Sequence, residues 1–276
     1  MKNFLKIVTI IALSISLFFT NSCNNKNGTD NSKKTETLKV AMELQFPPFE
    51  MSDGEGNPTG ISVDMAKALG KYIGREVEIV NTAWTGLIPS LQTGKVDLIL
   101  SSMTITEDRA KVIDFSDPYL IAGLTLLLNK NSEANKWEDL NKNGIVIAVK
   151  SGTTGAIIAK EQLVNSEIKY FEDVSACVLE VSQGKADAFI YDALTIYESY
   201  KKNTKTTKLN LTTIPSTAAG WGIAIKKGNN ELKQKVNEFI KKSKKDGSFS
   251  ALENKYLKDV KAAFVEAGIP SMFESE

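Results

Sequence analysis

The 276-residue chain contains no histidine, two cysteines and seven prolines. Without histidine, neither a Ser-His-Asp nor a Cys-His catalytic group can be assembled, and most zinc sites lose their commonest ligand. The cysteines, Cys23 and Cys177, stand in unlike surroundings and give no disulfide framework. An excess of one charge is lacking too. The 34 Lys and Arg residues against 33 Asp and Glu leave +1, so no strong field directs the chain to nucleic acid. Ser151-Gly-Thr-Thr-Gly155 lacks the Gly-Lys-Ser/Thr ending of a phosphate loop, so no cofactor is expected. What is present, 42% hydrophobic and 24% charged residues, is enough for a buried core in one or two globular domains. Cys177 lies in an amphipathic stretch beginning at Asp173 and reads as a buried, inert thiol.

Long apolar runs are also scarce. The one run, Ile7 to Phe19, follows two lysines and is too short to span a bilayer comfortably. This is the layout of a signal peptide, assigned to 1–22. It ends in Thr20-Asn21-Ser22-Cys23, which resembles a bacterial lipobox, with Thr20 where leucine is usual. Cys23 is therefore the expected lipidation site, and acyl chains there would anchor the chain to a membrane. Residues 23–37 are polar and form the expected tether.

From Leu38 a β-α-β-α-β order appears twice. The first copy takes strands at Leu38–Met42, Glu76–Val80 and Val96–Leu100, with helices at Ile61–Ile73 and Trp84–Thr93. The second takes strands at Ile145–Val149, Glu167–Phe171 and Ala186–Ile190, with helices at Gly155–Val164 and Asp173–Gln183. Gly94-Lys-Val-Asp-Leu-Ile-Leu opens one third strand and Gly184-Lys-Ala-Asp-Ala-Phe-Ile the other. Extended stretches at Ala122–Leu128 and Ile214–Ile225 read as crossings between the copies. Helices at Asn230–Lys245 and Ser250–Val265 would return to the first copy, and Glu266–Glu276 is unassigned. The expected fold class is α/β: two lobes, each a mainly parallel sheet flanked by helices, joined by two hinge crossings. Lobe 1 is expected over 38–125 plus 218–276, and lobe 2 over 126–217.

Ligands of open parallel sheets bind beyond the carboxyl ends of the strands. That rule selects Glu43 to Phe49, Trp84 and Ser101 to Arg109 in lobe 1. In lobe 2 it selects Lys150 to Thr154, Asp173, Tyr191 and Asp192. Arg109 is a guanidinium fork suited to a carboxylate, or it pairs with neighbouring acids. Ser101, Ser102, Thr104 and Thr154 add donors, and a helix start at Thr153-Thr154-Gly155 adds its dipole. Asp192 offers a carboxylate to an ammonium, or caps the helix that follows. Phe46, Trp84 and Tyr191 offer flat walls, or plain core for Trp84. An α-amino acid fits this set.

At these residues the chain resembles the bacterial polar-amino-acid-binding proteins of ABC importers, family 3, with a type II periplasmic-binding-protein-like fold. The resemblance rests on Gly86-Leu-Ile-Pro-Ser-Leu-Gln-Thr-Gly-Lys-Val-Asp-Leu98, Ser102-Met-Thr-Ile-Thr-Glu-Asp-Arg109 and Asp114-Phe-Ser-Asp-Pro-Tyr119. Phe46-Pro-Pro-Phe-Glu50, Val149-Lys-Ser-Gly-Thr153, Ala186-Asp-Ala188 and Trp221-Gly-Ile-Ala-Ile225 also match. It implies that Arg109 clamps the ligand carboxylate with donors at Ser102, Thr104 and Thr154. It further implies that Asp192 binds the ammonium, that Phe46 and Trp84 sandwich the ligand, and that Glu43 contacts the far end of its side chain. Lys150 reaches a polar ligand side chain or Glu43 itself. One departure stands out: where the family carries Gly-Phe-Asp, this chain has Gly60-Ile-Ser62.

The expectation is a non-enzymatic, monomeric lipoprotein on the extracytoplasmic side of a bacterial membrane, anchored through Cys23. It would deliver an amino acid to an ABC importer permease. Glu43 between aromatic walls puts arginine or lysine first, with glutamine or another polar amino acid second. The alternatives are a ligand-sensing domain for a separate membrane receptor, or a cyclohexadienyl-dehydratase-like enzyme.

Overall fold

A computed structural model describes residues 36–266 and Phe273. The expected leader 1–22, Cys23, all but the last two residues of the tether, and residues 267–272 and 274–276 lie outside the described residues. Among the described residues no helix is long and apolar enough to cross a membrane.

The chain begins with β1 (Leu38–Met42), followed by a short meander of β2 (Gln45–Phe46), β3 (Glu50–Ser52) and β4 (Pro58–Thr59). Then come α1 (Ile61–Ile73), β5 (Val77–Asn81), α2 (Leu87–Gln92), β6 (Leu98–Ile99), α3 (Glu107–Val112) and β7 (Asp114–Phe115). Strands β8 (Leu120–Ala122) and β9 (Leu124–Asn129) lead to β10 (Val146–Lys150), α4 (Thr154–Gln162), β11 (Glu167–Phe171) and α5 (Val174–Ser182). Next are β12 (Ala188–Asp192), α6 (Ala193–Lys202), β13 (Thr207–Asn210), β14 (Ala219–Trp221) and β15 (Ala224–Ile225). Helices α7 (Asn230–Lys245), α8 (Ser248–Tyr256) and α9 (Lys258–Glu266) follow.

These strands form two five-stranded sheets of matching design, ordered β5-β1-β6-β15-β7 and β11-β10-β12-β9-β13. In each, the first three strands run parallel. The fourth is antiparallel to both of its neighbours. The sheets are thus mixed. The fourth strand is where the chain exchanges lobes. β9 enters the second sheet directly after β8, and β15 enters the first directly after β14. The two entering strands, β8 and β14, pair with each other, Leu120 opposite Trp221 and Ala122 opposite Ala219. That paired crossing is the hinge of a two-lobed fold.

Burial explains the strand sequences. β1 is covered on both sides and reads Leu-Lys-Val-Ala-Met with only Lys39 exposed. The edge strand β5 carries Glu78 and is only half-buried. Helix α1 ends at Gly74, which takes the left-handed φ of 74° that glycine accepts without a Cβ clash. Its Val63, Met65, Ala66 and Leu69 share a core with Val236, Phe239 and Ile240 of α7. On the other face of that sheet Leu87 and Leu91 of α2 pack against Ile99. In lobe 2, Ala156 and Ala159 of α4 cover one face, and Cys177 and Val181 of α5 with Ile196 of α6 cover the other. Cys177 is a free thiol with no exposed surface, and burial pushes it up to about 12. It has the inert character expected.

Of the boundaries that differ from the sequence expectation, three bear on the strand ends and the helices that follow them. The helix expected from Trp84 is a 3-10 turn at Trp84–Gly86, with the α-helix starting at Leu87. Pro89 has no N–H for the carbonyl of Thr85, and its ring crowds that carbonyl, so a continuous helix through Thr85 is excluded. The third strand of the first copy is Leu98–Ile99, with Asp97 N–H and Leu100 N–H still donating to Lys39 and Ala41 carbonyls of β1. The third strand of the second copy lies two residues later than expected and ends at Asp192.

Candidate functional site

The strand ends of both lobes open on one cavity, whose empty space together with its open mouth is about 510 Å³. Of the expected site residues, all but Lys150 line it. Asp173, which the strand-end rule also selected, is instead the N-cap of α5, accepting from Ala176 N–H at 2.9 Å.

Arg109 belongs to α3, whose Thr106 cap accepts from the Arg109 N–H at 3.3 Å. Its neighbours Glu107, Asp108 and Lys111 are exposed, while Arg109 itself is buried. The guanidinium donates to the Thr104 carbonyl at 2.7 Å and, across the cleft, to the Gly152 carbonyl at 3.1 Å. It also lies over the Trp84 ring, 5.4 Å from the centroid. Among the described residues no carboxylate pairs with it. Asp108, the nearest acid in sequence, pairs with Lys111 at 2.6 Å. Burial brings Arg109 down to about 10, which leaves it charged at neutral pH. A buried cation without a counter-charge is costly, and a carboxylate in the cavity relieves that cost.

Asp192 closes β12 and caps α6, the second of its two sequence readings. Its Oδ1 accepts from Thr195 N–H at 3.0 Å. Its Oδ2 is buried with no hydrogen-bond partner. Burial raises the carboxyl to about 6 against the lowering effect of the Thr195 N–H. A free carboxylate oxygen in the cavity wall calls for a cationic donor.

The remaining wall is built from both lobes. Thr153 caps α4, accepting from Ala156 N–H at 3.4 Å and donating to the Lys150 carbonyl at 2.7 Å. This leaves the first N–H groups of α4, at Thr154 and Gly155, at the cavity wall, a favourable place for an anion. Ser101 accepts from Glu43 N–H at 3.0 Å. Phe46 packs edge-on to Tyr191 at 6.0 Å and to Trp221 at 5.8 Å. Tyr191 in turn stacks on Phe189. Lys150 reaches the floor from behind, where its ammonium pairs with the Glu43 carboxylate, both side chains almost wholly buried. Glu43 also accepts from Trp84 N–H at 3.2 Å.

Trp221 and Leu124 line the cavity without having been selected from the sequence. Trp221 and Leu124 sit at the hinge, not at a central strand end, so the strand-end rule passes over them. The Trp221-Gly-Ile-Ala-Ile225 motif carried the signal, without a role attached.

Two lobes thus face one cavity, one bringing a buried guanidinium without a counter-charge and the other a carboxylate oxygen without a hydrogen-bond partner. The profile of the bacterial extracellular solute-binding proteins, family 3, matches residues 38–259, and the chain belongs to that family. The glutamine-binding protein GlnH of an ABC transporter of Bacillus subtilis strain 168 is 33% identical over 233 residues, covering 83% of each chain. The crystal structure of an ancestral amino-acid-binding protein, AncCDT-1, a precursor of cyclohexadienyl dehydratase, is 41% identical with a TM-score of 0.72. It covers 80% of this chain and 94% of that one. An ancestral arginine-binding protein bound to glutamine is 36% identical with a TM-score of 0.73, over 80% and 97% of the two chains.

Proposed function

We propose that this protein binds a free L-amino acid between lobes 38–125 plus 218–276 and 126–217, and presents it as a monomer to an ABC importer. The observation that carries the reading is a pair of buried charges without counter-charges on one cavity: Arg109 from lobe 1, and Asp192, whose Oδ2 has no hydrogen-bond partner, from lobe 2. The ligand carboxylate lies against Arg109 with the α4 N-terminus, Ser102, Thr104 and Thr154. The ligand ammonium lies against Asp192. The open form collects ligand on the Trp84 and Arg109 side. Closure then adds the lobe 2 contacts, and the ligand shifts the balance only by its preference for the closed form.

The ion pair of Glu43 with Lys150 changes the order of candidates given by sequence. With its charge already balanced, Glu43 has little to offer a second cation. A neutral polar side chain fits better, its N–H donated to Glu43. Glutamine therefore moves ahead of arginine and lysine. The same pairing commits the floor carboxylate, which supports a binder over a dehydratase needing a free acid there. Lipidation at Cys23 would hold the receptor beside its permease on the outer side of the membrane.

A thermal-shift screen over the twenty L-amino acids tests this reading, because a bound ligand raises the melting temperature by mass action. Glutamine giving the largest shift supports it. A flat response across the set rejects amino-acid binding, and a largest shift with arginine or lysine rejects the order. Loss of fatty-acid labelling in Cys23→Ala tests the anchor.

A further inference from the structure

Behind the cavity wall formed by Ser102, the carboxyl of Glu50 is completely buried. Its Oε1 accepts from Ser62 Oγ at 2.5 Å and from Ser102 Oγ at 2.9 Å, and its Oε2 lies 3.2 Å from Ser102 Oγ. The local fold enforces this meeting. Ile61 N–H and Ser62 N–H donate to the carbonyls of Pro48 and Phe49, at 3.0 and 2.9 Å, and stitch the start of α1 to the chain leading into β3. A Cβ at Gly60 would lie 2.4 Å from the Phe49 carbonyl oxygen, so only glycine permits that approach. Ser102 itself holds a left-handed φ of 49°, which a non-glycine residue keeps only when its surroundings fix it.

The titratable groups facing Glu50 are Glu43 after β1, Asp192 at the end of β12, and the Tyr191 and Tyr119 hydroxyls, the latter beside Ser102. None is a cation. Among the described residues no lysine or arginine pairs with Glu50. Position 62 is also where this chain carries serine in place of the acid usual in the family. A hydroxyl there gives Glu50 a hydrogen bond without a second negative charge.

We propose that Glu50 is a positioning residue for the ligand's carboxylate, acting through Ser102. Neutral Glu50 gives its O–H hydrogen to Ser102 Oγ while Ser62 donates to its other oxygen. The Ser102 hydroxyl hydrogen is then free to donate to an anion in the cavity. When Glu50 releases its proton, the carboxylate takes the Ser102 hydrogen back and the anion loses a donor. Burial, and then the fields of Glu43 and Asp192, raise Glu50 to about 8, so the neutral form prevails at neutral pH. This inference rests on the amino-acid reading of the cavity.

The test measures affinity by calorimetry for wild type, Glu50→Gln and Glu50→Ala from about pH 6.5 to about pH 9.5. The probe is whichever L-amino acid gives the largest thermal shift. A glutamine at position 50 can donate to Ser102 at every pH. Glu50→Gln is expected to bind near wild-type strength at neutral pH, and Glu50→Ala about tenfold or more weaker, the worth of one hydrogen bond to a charged group. Above neutral pH both wild type and Glu50→Gln weaken as the ligand ammonium deprotonates. Wild type alone should lose a further factor of about ten. Identical pH profiles in those two proteins overturn the role of Glu50. Failure of wild type to bind any amino acid at neutral pH overturns the amino-acid reading, and this role with it.

Discussion

The two lobes share a strand order, a direction pattern and a hinge strand apiece, yet they bring opposite chemistry to the cleft. Lobe 1 supplies the cation Arg109 and the rings of Phe46, Trp84 and Trp221. Lobe 2 supplies the acid Asp192 and a helix N-terminus at Thr154. The duplicated scaffold sets where strand ends point; the loops after those ends set what they carry. In lobe 1 the chain wanders from Glu43 to Gly60 and from Leu100 to Thr106 before its next helix. In lobe 2 it turns within a few residues, so α4, α5 and α6 begin almost at the strand ends. Lobe 2 thus offers helix starts, with Thr153, Asp173 and Asp192 as caps, where lobe 1 offers side chains. A zwitterion needs both.

The largest effect should come from removing either charge. Arg109→Ala and Asp192→Asn should each weaken amino-acid binding by about 3–5 kcal/mol, since each leaves one ligand charge buried and unpaired. The lobes should separate on stability. Arg109→Ala removes an uncompensated buried cation and should raise the melting temperature of the unliganded protein. Asp192→Ala also removes a helix cap, which costs about 1 kcal/mol, while Asp192→Asn retains it. Calorimetry and thermal melts on the same proteins check both halves. Equal melting changes in Arg109→Ala and Asp192→Ala would erase the distinction.

The pH dependence of stability tests a feature common to both lobes. Glu50 in lobe 1 and Asp192 in lobe 2 are raised to about 8 and about 6, mainly by burial. The unfolded chain releases these protons at lower pH than the folded chain does. The folded state therefore binds more protons in between, and stability falls as pH rises. Asp192 acts from about pH 4 to about pH 6 and Glu50 from about pH 4.5 to about pH 8, with no further loss from either above that. Surface acids held low, such as Asp114 and Asp139, act in the opposite sense below their ordinary range and leave this window untouched. Melting of the unliganded protein should drop across the window by a free energy on the order of a few kcal/mol. Glu50→Gln should flatten the upper part, and Asp192→Asn the lower. A melting temperature that stays level or rises from pH 5 to pH 8 in wild type contradicts the assignment.

How far the sequence carried this comparison differs by residue. Arg109 and Asp192 were legible because each follows a strand whose apolar run is plain, and the strand-end rule needs only that. The Glu43–Lys150 pair was legible as one of two readings of Lys150, and the choice between them was not, because closure across 107 residues decides whether the two meet. Trp221 escaped because hinge strands are short and lie beside the cleft. Glu50 escaped because nothing in Pro-Pro-Phe-Glu says that its carboxyl is sealed from water; that follows from α1 docking through Gly60. The break at Trp84–Gly86 was readable in principle from Pro89, whose effect falls four residues upstream.

The Glu43–Lys150 pair ties the lobes directly and should be separable from the ligand charges. Lys150→Met leaves Glu43 buried without its partner, so the unliganded protein should melt earlier. A cationic side chain can then take the place of the lost ammonium. Affinity for arginine relative to glutamine should rise by about tenfold or more in Lys150→Met. If the ratio does not change, Glu43 does not face the ligand side chain.

The smallest effects should fall where the lobes are most alike. Gly94 and Gly184 both hold φ of 73° after α2 and α5, a left-handed turn that sends the chain into the third strand. Three residues on, Asp97 accepts from Lys39 N–H and Asp187 from Val146 N–H, each at 2.9 Å. Both acids satisfy a backbone donor on the neighbouring strand that the ladder leaves open. Gly94→Ala and Gly184→Ala should each cost about 1 kcal/mol, as should Asp97→Ala and Asp187→Ala, with ligand affinity unchanged. Among the described residues Asp97 alone of the two has a second side-chain partner, Arg75 at 3.2 Å, and that pair is partly exposed. It should add less than about 1 kcal/mol, and added salt should remove the excess. If Asp97→Ala is no worse than Asp187→Ala at low salt, the ion pair contributes nothing. If Asp187→Ala is the worse of the two, the match between the lobes ends at backbone shape, and the half-buried setting of Asp187 governs its cost.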